Sequence, residues 1–242
     1  MILKKVFKKM SVLQVIDMVN SSIMKGDRVF ANLRISLPIL VFLGTINLCA
    51  QSKVETISLF DGVSMDGWKV LKDSNSKYWK VLDSTLVGGD NKVKIHENTY
   101  LYTVDEYEDF EFSGLFKITG DHKTGLINSG IQYRSSIKDG HIIGYQADIG
   151  KGYWGDIYDE HRRGKLVSGD LKTLKNILNE NGWNSYLVRC IGNTHELYIN
   201  GVKTAYYKEN DANIPSKGVI GIQLHSGGKA KVEFKHLTVT PL

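Results

Sequence analysis

Outside its first 50 residues, this 242-residue chain has little cysteine, little proline, no long apolar run and no surplus of either charge sign. The two cysteines are Cys49 and Cys190, and the three prolines are Pro38, Pro215 and Pro241. If the leader is cleaved after Ala50, Cys190 stands alone, which excludes an intramolecular disulfide and leaves stability to a packed core. Two prolines in the remainder, with no low-complexity tract or repeat, provide no linker to divide it. The net charge of +5 comes entirely from residues 1–50, which hold seven Lys/Arg and two Asp/Glu and leave 24 of each sign beyond them. No basic stripe remains to neutralise phosphates, so nucleic acid is excluded as a partner.

The longest apolar stretch, Leu37 to Leu48, is 12 residues, against roughly 20 for a membrane-spanning helix. Behind Lys25, Arg28 and Arg34 it fits the hydrophobic core of an export signal, with Met24 as an alternative start. Residues 1–50 therefore read as a leader, and the protein as periplasmic or extracellular with no transmembrane span. Cys49 offers lipid anchoring as the alternative to soluble release. The remaining residues, 51–242, are enough for one sizeable core and read as a single domain.

That body consists of short alternating segments split by Gly, Asn and Asp, which is the all-β pattern. Phe110, Phe112, Phe116 and Ile118 alternate with Glu111, Ser113 and Lys117. Tyr186, Val188 and Cys190 alternate with Leu187, Arg189 and Ile191, as in a strand covered on both faces. Asn200-Gly201 predicts a type I′ hairpin. Val219–His225 and Lys231–Val239 read as a closing pair of strands, with a bulge between Phe234 and Leu237. One short helix is predicted, with Asp170 as N-cap and Leu171, Leu174 and Leu178 on one face. These elements predict a two-sheet antiparallel β-sandwich with one short helix.

Gly144 to Lys165 is the segment richest in chemistry. Its 22 residues hold Asp148, Asp156, Asp159, Glu160, Arg162 and Arg163, one Trp, three Tyr and five glycines. Glycines let backbone approach a ligand, aromatics offer flat apolar faces, and carboxylates with arginines serve proton transfer and charge stabilisation. A sugar suits that mixture.

Leu59-Phe60-Asp61-Gly62 with Gly67-Trp68, then Asn128-Ser129-Gly130-Ile131 with Arg134, resemble the 3-keto-disaccharide hydrolase domain family. So do Gly182-Trp183-Asn184-Ser185-Tyr186, Asn200-Gly201 and Gly221-Ile222-Gln223-Leu224-His225, in the family's order over nearly all of residues 55–240. The resemblance implies a concanavalin-like lectin/glucanase sandwich, or jelly roll. It also implies cleavage of glycosides whose glucose ring is oxidised at C3. A C3 ketone acidifies the C2 proton, the enolate expels the C1 substituent, and water then adds. Many members have Glu and Gln where this chain has Gln146 and Asp148, so the charged atom lies two positions further along the strand.

Such chemistry needs a base, a donor near the C3 oxygen and an acid for the leaving oxygen. Gln132 and Arg134 share one predicted strand face, and Gln146 and Asp148 share one face of the next. If Ser135–Ile143 closes a hairpin, the four form one floor, opposite Ile131, Tyr133, Tyr145 and Ala147. The expected base is Asp148 or Glu160, with Arg134 as the enolate-side donor and His225 as the acid. Gln132, Gln146, Trp154, Asp159, Arg162, Arg163 and Gln223 are the expected substrate contacts. The blander readings are a solvated strand face for the floor and a loop ion-pair network for Asp159, Glu160, Arg162 and Arg163. No cofactor motif is present, and the carboxylates leave calcium open. The partner is a sugar or 3-keto sugar, and the oligomeric state is left open. The competing functions are a non-catalytic carbohydrate-binding module and a retaining glucanase, which needs carboxyls about 5–5.5 Å apart.

Overall fold

A computed structural model describes residues 55–242; the leader, Met24 and Cys49 lie outside the described residues. In chain order the strands are β1 (Ile57–Ser58), β2 (Trp68–Val70), β3 (Trp79–Leu82), β4 (Thr85–Gly89), β5 (Thr99–Tyr107), β6 (Phe110–Asp121), β7 (Asn128–Lys138) and β8 (His141–Gly150). There follow β9 (Ile157–Glu160), β10 (Gly164–Val167), helix α1 (Leu171–Leu174), β11 (Asn184–Ile191), β12 (Thr194–Ile199), β13 (Val202–Lys208), β14 (Gly218–Leu224) and β15 (Lys229–Pro241).

The strands form two antiparallel sheets. One runs β13-β12-β11-β6-β15-β4-β3, with β1 also paired to β15; the other runs β10-β9-β8-β7-β14-β5-β2. Alternation explains how they pack. Phe110, Phe112 and Phe116 from β6, Val188 from β11 and Phe234 from β15 meet Ile131 and Tyr133 from β7 and Tyr145 and Ala147 from β8 in one buried core. Burial of a large apolar side chain contributes about 1.5–3 kcal/mol, so a core with this many of them holds the fold without a disulfide. Cys190 is a buried, free thiol, and burial pushes its pKa up to about 12.

Several local expectations are met. Asn200 and Gly201 have φ of 50° and 78°, as a type I′ turn requires. Register shifts between Lys235 and Thr238 of β15, overlapping the bulge predicted between Phe234 and Leu237. Asp170 caps α1 by accepting from Thr173 N at 3.0 Å, although the helix is a single turn that buries Leu174 and leaves Leu171 exposed. Two expectations are corrected. β14 and β15 do not pair; the chain crosses from one sheet to the other between them, because Gly227-Gly228 turns over the sandwich end rather than reversing within a sheet. β11 is covered on one face only, since Arg189 and Ile191 are exposed and neighbours on the outer face do not enclose them.

Candidate active site

β7 and β8 pair antiparallel with Gln132 opposite Gln146 and Gly130 opposite Asp148. The hairpin is tighter than the predicted loop, turning at Asp139-Gly140 with φ of 51° and 74°. β14 lies on the other side of β7 with Gln223 opposite Gly130, and β9 lies beside β8 with Glu160 opposite Gly144 and Tyr158 opposite Gln146. Because side chains alternate along a strand, Gln132, Gln146, Asp148, Tyr158, Glu160 and Gln223 share the face turned away from the core. Of the four residues expected on the floor, Gln132, Gln146 and Asp148 share this face. Above it is a cleft of about 240 Å³ lined by Leu126, Asn128, Gln146, Asp148, Tyr153, Tyr158, Glu160 and His225.

The floor is a directed chain of hydrogen bonds. Gln132 Nε2 donates to Gln146 Oε1 at 2.6 Å, and Gln146 Nε2 donates to Asp148 Oδ1 at 2.6 Å. Asp148 is only 3% exposed. Burial pushes its pKa up to about 8; the Gln146 hydrogen bond opposes this, the Asp156 and Glu160 charges add to it, and Lys165 works against it. Asp156, also buried, is held by Gly169 N at 2.7 Å and Lys165 Nζ at 2.5 Å. A carboxyl that keeps its proton near neutrality is an acid or a hydrogen-bond donor.

A second network ties Glu160 to His225. Tyr100 Oη donates to Glu160 Oε1 at 3.2 Å and accepts from Gln223 Nε2 at 3.0 Å and Asn98 Nδ2 at 3.3 Å. Asn98 Oδ1 accepts from Ser226 N at 2.9 Å, and His225 Nδ1 lies 2.6 Å from Ser226 O. Burial, then the Glu160 charge, raise the Tyr100 pKa well above its ordinary value, so the phenol stays protonated.

The structure removes other expected residues from the cleft. Arg134 is not on the floor: β7 carries one extra residue between Tyr133 and Ser136, and Arg134, with φ of 45°, is in that bulge. Its guanidinium instead bonds Glu108 O at 2.8 Å, Gly192 O at 2.7 Å and Asp109 Oδ1 at 2.9 Å. Asp159 pairs with Tyr145 and so faces inward. There its buried carboxylate accepts from Arg162 and Arg163, and Arg163 Nη2 continues to Glu209 Oε2 at 2.6 Å. Asp159, Arg162 and Arg163 thus form the ion-pair network rather than a substrate contact. Burial opposes ionisation of Glu209, but Arg163 and the Tyr145 hydroxyl outweigh it and hold its pKa well below the usual carboxylate range. Trp154 packs in the core, its ring centroid 6.2 Å from that of Phe116, with no face for a sugar.

A larger recess of about 570 Å³ lies around Arg134, Tyr145, His195 and Glu209, but Arg134 pairs with Asp109 and Glu209 with Arg163 and Tyr145. In the smaller cleft neither Asp148 nor Glu160 is paired with an arginine or lysine. Sequence reasoning did not assign Asn98, Tyr100, Leu126, Asn128, Tyr153 or Tyr158. Asn128 begins one of the resembling motifs and both later tyrosines lie in the Gly144–Lys165 segment, whereas Asn98 and Tyr100 carry no local signal. Among the described residues, no group of three or more His, Cys, Asp or Glu is placed to hold a metal ion, and no helix is long and apolar enough to cross a membrane.

The profile of the 3-keto-alpha-glucoside-1,2-lyase-like domain matches residues 55–240. The chain belongs to this family. No curated protein sequence matches it significantly. Among solved structures, a protein proposed to be a glycosyl hydrolase from Parabacteroides distasonis superposes with a TM-score of 0.56 at 21% identity, covering 77% of this chain and 94% of that one. Carbohydrate binding module CBM66 from Bacillus subtilis gives 0.53 at 14% identity, over 72% of this chain and 95% of that one. A prokaryotic β-1,3-1,4-glucanase (lichenase) from a mouse hindgut metagenome gives 0.50 at 11%, over 77% and 98%. At these identities the likeness concerns the sandwich. The family, with its sugar chemistry, rests on the profile match.

Proposed function

We propose that the chain cleaves 3-keto-glucosides in the cleft over β7, β8 and β9, by removing the C2 proton, expelling the C1 substituent and adding water. Asp148 carries the reading. Buried at the cleft with its pKa pushed up to about 8, it holds a proton at neutral pH that it can give to the leaving C1 oxygen. Glu160 and His225 line the same cleft as proton acceptors for C2. The C2 proton moves to an acceptor, the C1–O bond breaks, and Asp148 protonates the departing oxygen. In hydration the same groups work in reverse: ionised Asp148 takes a proton from water as its oxygen attacks C1, and the acceptor returns a proton to C2.

The cleft, at about 240 Å³, lies below the roughly 300–1,000 Å³ of drug-sized sites and suits one sugar ring. Gln146 stands between Asp148 and Gly144, the residue opposite Glu160, so register places the two carboxyl-bearing residues four positions apart along β8, about 13 Å at 3.3 Å per residue. The apolar run at Leu37–Leu48 behind basic residues supports action after export, which N-terminal sequencing of the mature protein checks. The decisive assay is release of aglycone from a 3-keto-glucoside. Turnover of the ordinary glucoside alone, or tight sugar binding with no turnover, would sink the proposal; the latter result is what the likeness to a carbohydrate-binding module favours.

A further inference from the structure

We infer that His225 Nε2 is the atom that takes the C2 proton, and that Asn98 and Tyr100 are positioning residues that fix its tautomer and tie it to Glu160. This rests on the 3-keto-glucoside reading above and assigns the base within it.

The argument starts from a carbonyl. Ser226 O can only accept, so the 2.6 Å contact with His225 Nδ1 requires the hydrogen on Nδ1. In a neutral imidazole the lone pair is then on Nε2, which has no protein partner among the described residues while the ring lines the cleft. An imidazole in this state is a base at Nε2 and has no proton there to give at the start of the reaction, which reverses the acid role expected from sequence.

The backbone that imposes this tautomer is itself held. Ser226 N donates to Asn98 Oδ1 at 2.9 Å, which orients the Asn98 amide so that Nδ2 faces the Tyr100 oxygen at 3.3 Å. Gln223 Nε2 donates to that same oxygen at 3.0 Å, and the phenol has one proton, which goes to Glu160 Oε1 at 3.2 Å. Glu160 therefore has one oxygen occupied, and Asp148 starts protonated. Among Asp148, Glu160 and His225, His225 is the side chain whose proton-accepting atom is set by a contact at its other ring nitrogen, and its Nε2 has no protein partner among the described residues.

When Nε2 takes the proton the ring becomes an imidazolium, with Nδ1–H still bound to Ser226 O and the Glu160 carboxylate facing the same cleft. The proton comes from C2, its electron pair moves into the enolate, the C1–O bond breaks, and Asp148 supplies the proton to the leaving oxygen. In hydration imidazolium returns a proton to C2. No external oxidant or co-reactant is needed.

The test has two independent parts. Long-range ¹H–¹⁵N correlation spectra of the wild-type protein should show the His225 ring protonated at Nδ1 and bare at Nε2; the opposite tautomer overturns the proposal whatever the activity. Solvent deuterium should enter C2 of a non-cleavable 3-keto sugar with wild type. His225→Ala should slow that exchange at least about 100-fold, within the 10²–10⁴ typical of a general base, with partial rescue by added imidazole. Tyr100→Phe and Asn98→Ala should lower kcat about tenfold with little change in KM and should populate the other tautomer. Exchange at the wild-type rate in folded His225→Ala or His225→Gln overturns the base assignment alone. A wild type with the expected spectrum but no exchange and no cleavage overturns the 3-keto reading together with it.

Discussion

Gln146 Nε2 lies 2.6 Å from Asp148 Oδ1, and the Gln146 side chain takes this path because residue 130 has no Cβ. A Cβ there would come within 2.5 Å of Gln146 Cγ and Cδ, too close for any packing to absorb in place. Gly130→Ala should displace Gln146 and uncouple Asp148, lowering kcat/KM at least about tenfold. The backbone at 130 is not in the left-handed region, so the fold should survive, with a Tm loss of a few degrees for a change of about 1 kcal/mol. Steady-state kinetics beside a melting curve check both halves, and an unchanged kcat/KM would argue against the Gln146–Asp148 coupling.

Asp148 predicts pH behaviour with a definite sign. Its ordinary pKa is 3.8 and the folded value is about 8, so the folded state holds the proton more tightly than the unfolded chain. Stability from this group is complete below pH about 4, declines as pH rises and levels off above about 8. Each pK unit corresponds to about 1.4 kcal/mol, so the effect amounts to several kcal/mol. Asp148→Asn should flatten the decline and raise Tm at pH 8 while reducing kcat about 10²–10⁴-fold. The wild-type kcat/KM should fall on an alkaline limb near pH 8. A Tm–pH profile shared by wild type and Asp148→Asn would count against the raised pKa.

His195 works in the opposite direction. It is buried beside Tyr145 at a centroid distance of 4.3 Å, and burial, then the Arg134 charge, lower its pKa from 6.5 to about 3. The unfolded chain takes up the proton near pH 6.5 and the folded protein does not. Stability from this group is full above pH 6.5 and is lost as pH falls toward 3. His195→Phe should reduce the acid sensitivity of Tm between those values, read by thermal melts at pH 7 and pH 4.

Arg134 should matter for stability rather than for turnover. Its side chain is 2% exposed and bonds two carbonyls and Asp109. Arg134→Ala takes the donor from the Glu108 and Gly192 carbonyls, at about 1–3 kcal/mol for each one buried, while Asp109 Oδ1 keeps Gly192 N at 2.9 Å. A Tm drop of several degrees is expected, with KM for the sugar unchanged where the variant is folded. A large kcat loss at full stability would restore Arg134 to the site.

The sandwich was legible because its cause is local. Phe110, Phe112 and Phe116 alternate with polar residues, Asn200-Gly201 prefers positive φ, and Asp170 caps a helix; each is a property of a few neighbouring residues. The pairing of Gln132 and Gln146 was legible too, because a hairpin brings sequence neighbours together in a predictable register. Arg134 marks where that logic ends. One extra residue in β7 reverses the alternation beyond Tyr133, and nothing in Tyr133-Arg134-Ser135 announces it.

The chain's scarcities and alternations by themselves determined an antiparallel β-sandwich with a polar strand face near Asp148, because strand periodicity and turn preference are encoded within short segments. Only the tertiary structure decided which polar residues meet. Tyr100 and Asn98 reach Glu160 and His225 through pairings among β5, β14, β7, β8 and β9, over sequence separations that no local pattern spans. Burial between and above those strands, a property of the assembled sheets, is what gives Asp148 its proton and Asp159 its arginines.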